Sequence, residues 1–200
     1  AARHITIQST SSEEFLNVAA TIGASNTAGI SASIIVVVLD NGSRAYINST
    51  SGSPATVHAG GDLTVNAVDT ADIDLYTGGL AFGSSAGIGV STTILVKTTQ
   101  VRAFIGVDDN PTTTSTKEDE TTSTGADIEA KGATGLTVSA SQDEDFLLIA
   151  IAGGGASTAG IAGSVVVNVT DQTTRAYIGN GTTVNSDNTG ASTGQSVAVS

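Results

Sequence analysis

The sequence predicts an all-β chain wound as a parallel β-helix, a β-solenoid, and three observations predict it. The tetrapeptide Arg-Ala-(Tyr/Phe)-Ile occurs at 44–47, 102–105 and 175–178. At 39 residues before each Arg stand Ile5, Leu63 and Leu136, opening the strings ITIQ, LTVN and LTVS. Between these anchors (Thr/Ser)-Ala-Gly-Ile recurs in register at 27–30, 85–88 and 158–161. Three anchors at fixed spacing in three copies mark an internal repeat. The second observation is that apolar residues within each copy recur with period two, as strands require, and no helical period competes. The third is composition: Ser, Thr and Gly exceed a third of the chain while aromatic residues are 4%. Such small side chains suit coils that bury their strands against the coils above and below.

The elements follow in order. Repeat unit 1 is 1–62, with strands from Ile5 and from Ile30, a turn at Asp40-Asn41-Gly42-Ser43, and the connection 48–62. Unit 2 is 63–135; Ile88, Val90, Thr92, Ile94 and Val96 alternate with Gly89, Ser91, Thr93, Leu95 and Lys97, and a long loop spans 106–135. Unit 3 is 136–196, where Ile161, Val165, Val167 and Val169 alternate with Ala162, Ser164, Val166 and Asn168. A fourth unit starts at 197–200. Lys97 and Asn168 assign their own alternation to the solvent side. A coil of this kind takes roughly 20 residues, so each unit is expected to make about three coils and advance ~14 Å. Tandem β-sandwich repeats are the alternative, disfavoured because a unit this small and Gly-rich buries too little to fold alone.

Composition also excludes. The net charge of −12 argues against nucleic acid and anionic membrane surfaces as partners. Without Cys there is no disulfide framework, thiolate metal site or Cys nucleophile. No run of ~18 apolar residues predicts a membrane span. Arg3 and His4 lead straight into a strand, so no signal peptide is expected within this stretch.

The stretch 153–179, which contains AGIAGSVVVNVTDQTTRAYIG, with LTVSA at 136–140, resembles the β-helical repeats of large bacterial surface adhesins of the filamentous-haemagglutinin and leukotoxin type. The resemblance covers essentially the whole chain and carries no catalytic motif. It implies a non-catalytic structural segment of an extracellular, cell-surface filament used for attachment. The expected partners are copies of the chain or flanking repeats, surface glycans, or a receptor on a host cell. A carbohydrate-binding or carbohydrate-active β-helix is the alternative. An ice- or mineral-binding Thr ladder is a third, weakened because outward Thr does not recur at one repeat position.

No catalytic residue is expected: His4 and His58 are unrepeated and neither has a triad partner in the sequence. No cofactor is expected apart from a weak Ca²⁺ candidate at Asp108 and Asp109 beside Asn110, and at Asp143 and Asp145 around Glu144, where hard oxygen ligands cluster. The other acidic residues, Glu13, Glu14, Asp40, Asp69, Asp72 and Asp74, read as solvated turns. Residues 111–124, polar and Thr-rich, read as a tolerated insertion outside the solenoid.

The tetrapeptide carries the interaction candidates. Alternation turns Ala45/Ile47, Ala103/Ile105 and Ala176/Ile178 inward, and Arg44/Tyr46, Arg102/Phe104 and Arg175/Tyr177 outward. An outward Arg lies along its aromatic neighbour or meets another chain. Ile35, Val37 and Leu39 fall on the side assigned to solvent and complete the set, as a face that packs under a loop or pairs fibres. Neither end carries a polar cap, so the expectation is either a segment of a longer polypeptide or a protomer that stacks head to tail.

Overall fold

The computed structural model describes residues 3–50, 53–107 and 125–200. In chain order the strands are β1 (Ile5–Ser25), β2 (Ala28–Asn48), β3 (Thr56–Ala59), β4 (Leu63–Gly83), β5 (Ala86–Gly106), β6 (Asp127–Ala130), β7 (Gly135–Ala156), β8 (Ala159–Ile178), β9 (Thr183–Val184) and β10 (Ser196–Val199). They form three sheets, β1-β4-β7-β10, β2-β5-β8 and β3-β6-β9, and every pairing between these strands is parallel. The chain is a parallel β-helix.

The pairing register makes each repeat a single coil. Ile5 pairs with Leu63, Leu63 with Leu136, and Leu136 with Val197. The expectation of about three coils per unit is therefore corrected: one unit climbs one strand spacing, ~4.8 Å. The estimate failed because it assumed short strands. The two principal strands of the first two coils each run 21 residues, roughly 70 Å when extended.

Asp40-Asn41-Gly42-Ser43 is likewise continuous strand within β2, not a turn. Ladder bonds to β5 hold it extended, overriding a local preference for turning. The connections expected to be loops each contribute a short strand, β3, β6 or β9, to the third sheet. The residues 111–124 lie outside the described residues.

Within a coil the first two strands face one another across the interior. Ser9 and Ser43 meet side chain to side chain at 2.8 Å, and Thr21 and Ser31 at 2.7 Å. At one end the third sheet closes a wide core of Leu63, Val65, Ala103, Ile105, Ile128 and Leu136. Toward the corner at 26–27 the two long sheets converge until their backbones touch. A Cβ on Gly23 would overlap the carbonyl of Ile30, and one on Gly154 that of Ile161. Glycine is required there by close approach rather than by φ. Gly29, Gly87 and Gly160 stand in one column just past the corner, as their common place in the repeat predicts.

Candidate functional site

Three features stand out: an outward aromatic ladder, a charged layer inside the solenoid, and an apolar outer surface at the narrow end.

The ladder comes directly from the tetrapeptide. Its register is Arg44–Arg102–Arg175 and Tyr46–Phe104–Tyr177. The ring centroids are 5.1 and 5.2 Å apart with planes within 6° and 4°. Strand spacing imposes this stacking, since identical positions on neighbouring coils must lie ~4.8 Å apart. The Arg175 guanidinium sits 5.7 Å from the Tyr177 ring centroid. Ala45, Ile47, Ala103 and Ile105 are buried inside. Exposure along the ladder is uneven. Tyr46 is 50% exposed, while Arg102 and Phe104 are 1% and 2% exposed although they point to the outer face. Arg102 donates to Gln100 Oε1 at 2.8 Å.

The charged layer overturns the assignment of faces. Lys97 is fully buried and points inward. Its Nζ donates to Glu144 Oε1 at 2.5 Å and to Thr99 Oγ1 at 2.6 Å, with Asp69 at 3.7 Å and Glu13 at 3.9 Å. Asn41 Nδ2 donates to Asp69 Oδ1 at 3.3 Å, and Gln142 to Glu144 Oε1 at 2.5 Å. Burial opposes ionisation of Glu144, but the Lys97 hydrogen bond, with Gln142 and Thr99, outweighs it and holds the carboxyl below the ordinary carboxylate range. Asp69 Oδ2 and Glu13 Oε2 are buried and accept no hydrogen bond. A buried Lys is tolerated because carboxylates from three coils surround it.

Since Lys97 faces in, so do the residues of its own alternate set. Ile35 and Val37 are 4% and 7% exposed and pack with Ile73, Leu75 and Leu95, with Leu39 packed against this cluster. These three are core residues, which corrects their expected place on an interaction face. The acidic residues expected at turns lie within strands, Glu13 and Glu14 in β1, Asp40 in β2, Asp69, Asp72 and Asp74 in β4.

The Ca²⁺ candidates separate. Asp108 and Asp109 lie outside the described residues. Asp143 and Asp145 are exposed on the outer face of β7, and Glu144 between them points in toward Lys97. Strand alternation keeps these three from converging on one ion. Among the described residues no cluster of three or more acidic or His side chains is arranged to hold a metal. His4 Nδ1 accepts from the Asp62 backbone at 3.0 Å, and His58 lies 3.5 Å from Asp127. Asp62 Oδ1 accepts from the Gly135 and Thr134 N–H groups of the next coil, which hold its carboxyl below the ordinary range.

The outer surface at the narrow end was missed in the sequence. Ile30, Ile34, Val36 and Val38 of β2 are exposed, as are Val165, Val167 and Val169 of β8. On the opposite sheet Leu16, Val18, Ile22, Phe82, Leu147 and Ile151 are exposed. A signal for it was present: residues 15–39, 75–96 and 146–170 contain no charged side chain, and each is the corner-side half of one coil.

Among the described residues no helix is long and apolar enough to cross a membrane. Scans of protein-family models, of curated proteins and of solved structures return no match to this chain.

Proposed function

We propose that this chain is a non-catalytic structural segment of an extracellular fibre or large bacterial surface adhesin, and that its coils extend a cell-surface filament for attachment. The observation that carries the reading is the register. One repeat makes one coil, and β10 continues the first sheet by pairing in parallel with β7, Val197 on Leu136. An array built this way lengthens by one strand spacing per repeat without a new kind of contact. Aromatic and Arg columns running along the outside support the same reading, because each added coil finds its stacking partner in place. The likeness of 153–179 to adhesin repeats supplies the attachment role and the location outside the cell.

Immunogold labelling of intact cells that produce the protein tests this. Antibodies raised against residues 1–200 should decorate filaments or a coat at the cell surface. Label reaching the protein only after permeabilisation would overturn the reading.

A further inference from the structure

The narrow half of each coil is apolar on its outside and, toward the corner, polar on its inside. Past the buried cluster of Ile35, Val37, Ile73, Leu75 and Leu95, its interior holds Thr21, Ser31, Ser33, Thr77, Ser91 and Thr93; Thr77 and Thr93 meet at 2.8 Å, Thr21 and Ser31 at 2.7 Å, and Ser33 donates to the Ala19 carbonyl at 2.8 Å. Its exterior is rich in branched and aromatic residues. On the second sheet the outward columns read Ile30–Ile88–Ile161, Val36–Ile94–Val167 and Val38–Val96–Val169. On the first they read Val18–Tyr76–Ile149 and Ile22–Leu80–Gly153. Ile34 at mid-depth is 65% exposed.

Both faces turn polar at the same depth. The first sheet changes at Glu14–Asp72–Asp145, with Asp74 of the middle coil one outward row nearer the corner between Leu16 and Leu147, and the second at Asp40–Thr98–Asp171. Between these rims and the corner lie 10 to 12 residues per strand, ~33–40 Å of extended chain. The corners themselves, Ser25-Asn26-Thr27, Ser84-Ser85 and Ser157-Thr158, are polar and uncharged. A bilayer's hydrocarbon layer is ~30 Å thick, and strands that cross one use about 9–11 residues, apolar toward lipid and polar inward.

A second copy fits less well. Five outward rows on three strands make a face of ~480 Å². Pairing two such faces buries ~1,000 Å², below the ~1,200–2,000 Å² of stable interfaces, and leaves the other face of each blade bare. A phase that covers both faces at once removes that difficulty.

We propose that the narrow half of each coil is a blade that inserts into the hydrocarbon of a lipid bilayer, corner first, with its acidic rims at the headgroups. The rims select zwitterionic over anionic headgroups, since Glu14, Asp72, Asp145, Asp40 and Asp171 repel anionic ones. In the middle coil both strands are laddered on both sides, so no backbone group is left for lipid to solvate. The edges of the outer coils are satisfied by further coils added in the register β10 shows on β7. The inference rests on the outward faces alone and stands or falls independently of the fibre reading.

The test uses chain 1–200 with phosphatidylcholine vesicles. The protein has no Cys, so single Cys variants at Ile34, Ile22, Asn26 and Gln8 report depth cleanly through a polarity-sensitive dye and chain-brominated lipid. Wild type should float with the vesicles, dye at 34 and 22 should be quenched, and dye at Gln8 should not. Ile34→Lys should keep its far-ultraviolet circular dichroism and lower the bound fraction on the order of thirtyfold. Adding anionic phosphatidylglycerol should weaken binding. Failure of wild type to float would overturn the proposal. So would flotation without quenching at 34, or assembly in solution with dyes at 34 mutually quenched, which would assign the blade to a second copy.

Discussion

The wide end and the blade of a single coil obey opposite rules. Near the third sheet Leu63, Val65, Ala103 and Ile105 point inward and are fully buried, while Thr6, Gln8 and Thr10 point outward. Near the corner the inward positions are mostly Gly, Ala, Ser and Thr, and Ile and Val point outward. No strand break separates the two regimes; the outer faces change beside the layer built on Lys97, and the inner ones past Leu75 and Leu95, where Thr77 and Thr93 begin. Available space explains it. Where the third sheet props the long sheets apart, large side chains fill the gap. Where backbones touch at Gly23 and Ile30, a large side chain has nowhere to go but out. Period-two alternation therefore fixes spacing but leaves open which alternate set is buried.

The largest effect is expected where the two regimes meet. Lys97→Met removes the one ammonium among Glu13, Asp69 and Glu144 and leaves their carboxylates facing one another in the interior. The expected loss is about 3–5 kcal/mol in chemical denaturation. A loss below about 1 kcal/mol would mean that water already solvates the layer and that no ionic boundary divides the coil.

Next comes a matched pair, one change at each end. Leu63→Ala opens a cavity in the wide core and should cost about 2–4 kcal/mol. Ile34→Ser, on the outside of the blade, should stay within about 0.5 kcal/mol in aqueous solution, because its side chain is already exposed. Equal losses from the two would erase the contrast between the ends.

How far the sequence could carry this is instructive at particular residues. The Arg-Ala-aromatic-Ile motif fixed its own faces correctly, because three copies in register leave one way to stack the rings. The parallel β-helix was legible for the same reason. The coil count was not, since a repeat of 58 or 73 residues suits three short-stranded coils as well as one long one. Lys97 misled because charge is normally a reliable marker of solvent; its partners Asp69 and Glu144 lie on other coils, 28 and 47 residues away in sequence. That error moved Ile35, Val37 and Leu39 outside and hid the blade. The three charge-free segments would have corrected it, since each spans both long strands of its coil and leaves both outer faces without a charge.

A smaller effect is expected from the ladder. Phe104→Leu keeps an apolar side chain but removes both ring stacks, with Tyr46 and with Tyr177. About 1–2 kcal/mol should be lost. Tyr46→Leu, which breaks a single stack on an exposed ring, should cost about half as much. If the two cost the same, ring contact along the outside adds nothing to coil stacking.

The smallest expected effect is a pH dependence, and its sign follows from Glu144. Its carboxyl is held below the ordinary value of 4.5 in the folded chain, because the Lys97 hydrogen bond, with those of Gln142 and Thr99, outweighs the burial that opposes ionisation. In the unfolded chain the group titrates near that ordinary value. A depressed folded value means that the unfolded state takes up a proton first as pH falls. The stabilisation is thus complete above pH 4.5 and is lost progressively as pH drops through the folded value. Asp62 and Asp187 are shifted in the same direction, the first by the Gly135 and Thr134 N–H groups and the second by Thr189 and Lys131. Acid lability should therefore persist, but less steeply, in Glu144→Gln. Urea midpoints measured from pH 7 down to pH 3 in wild type and variant decide it. Wild type should lose more stability than the variant below about pH 4.5 and run parallel to it above. Parallel curves throughout would show that Glu144 is not held by Lys97 in solution, and that the boundary between wide end and blade is polar without being ionic.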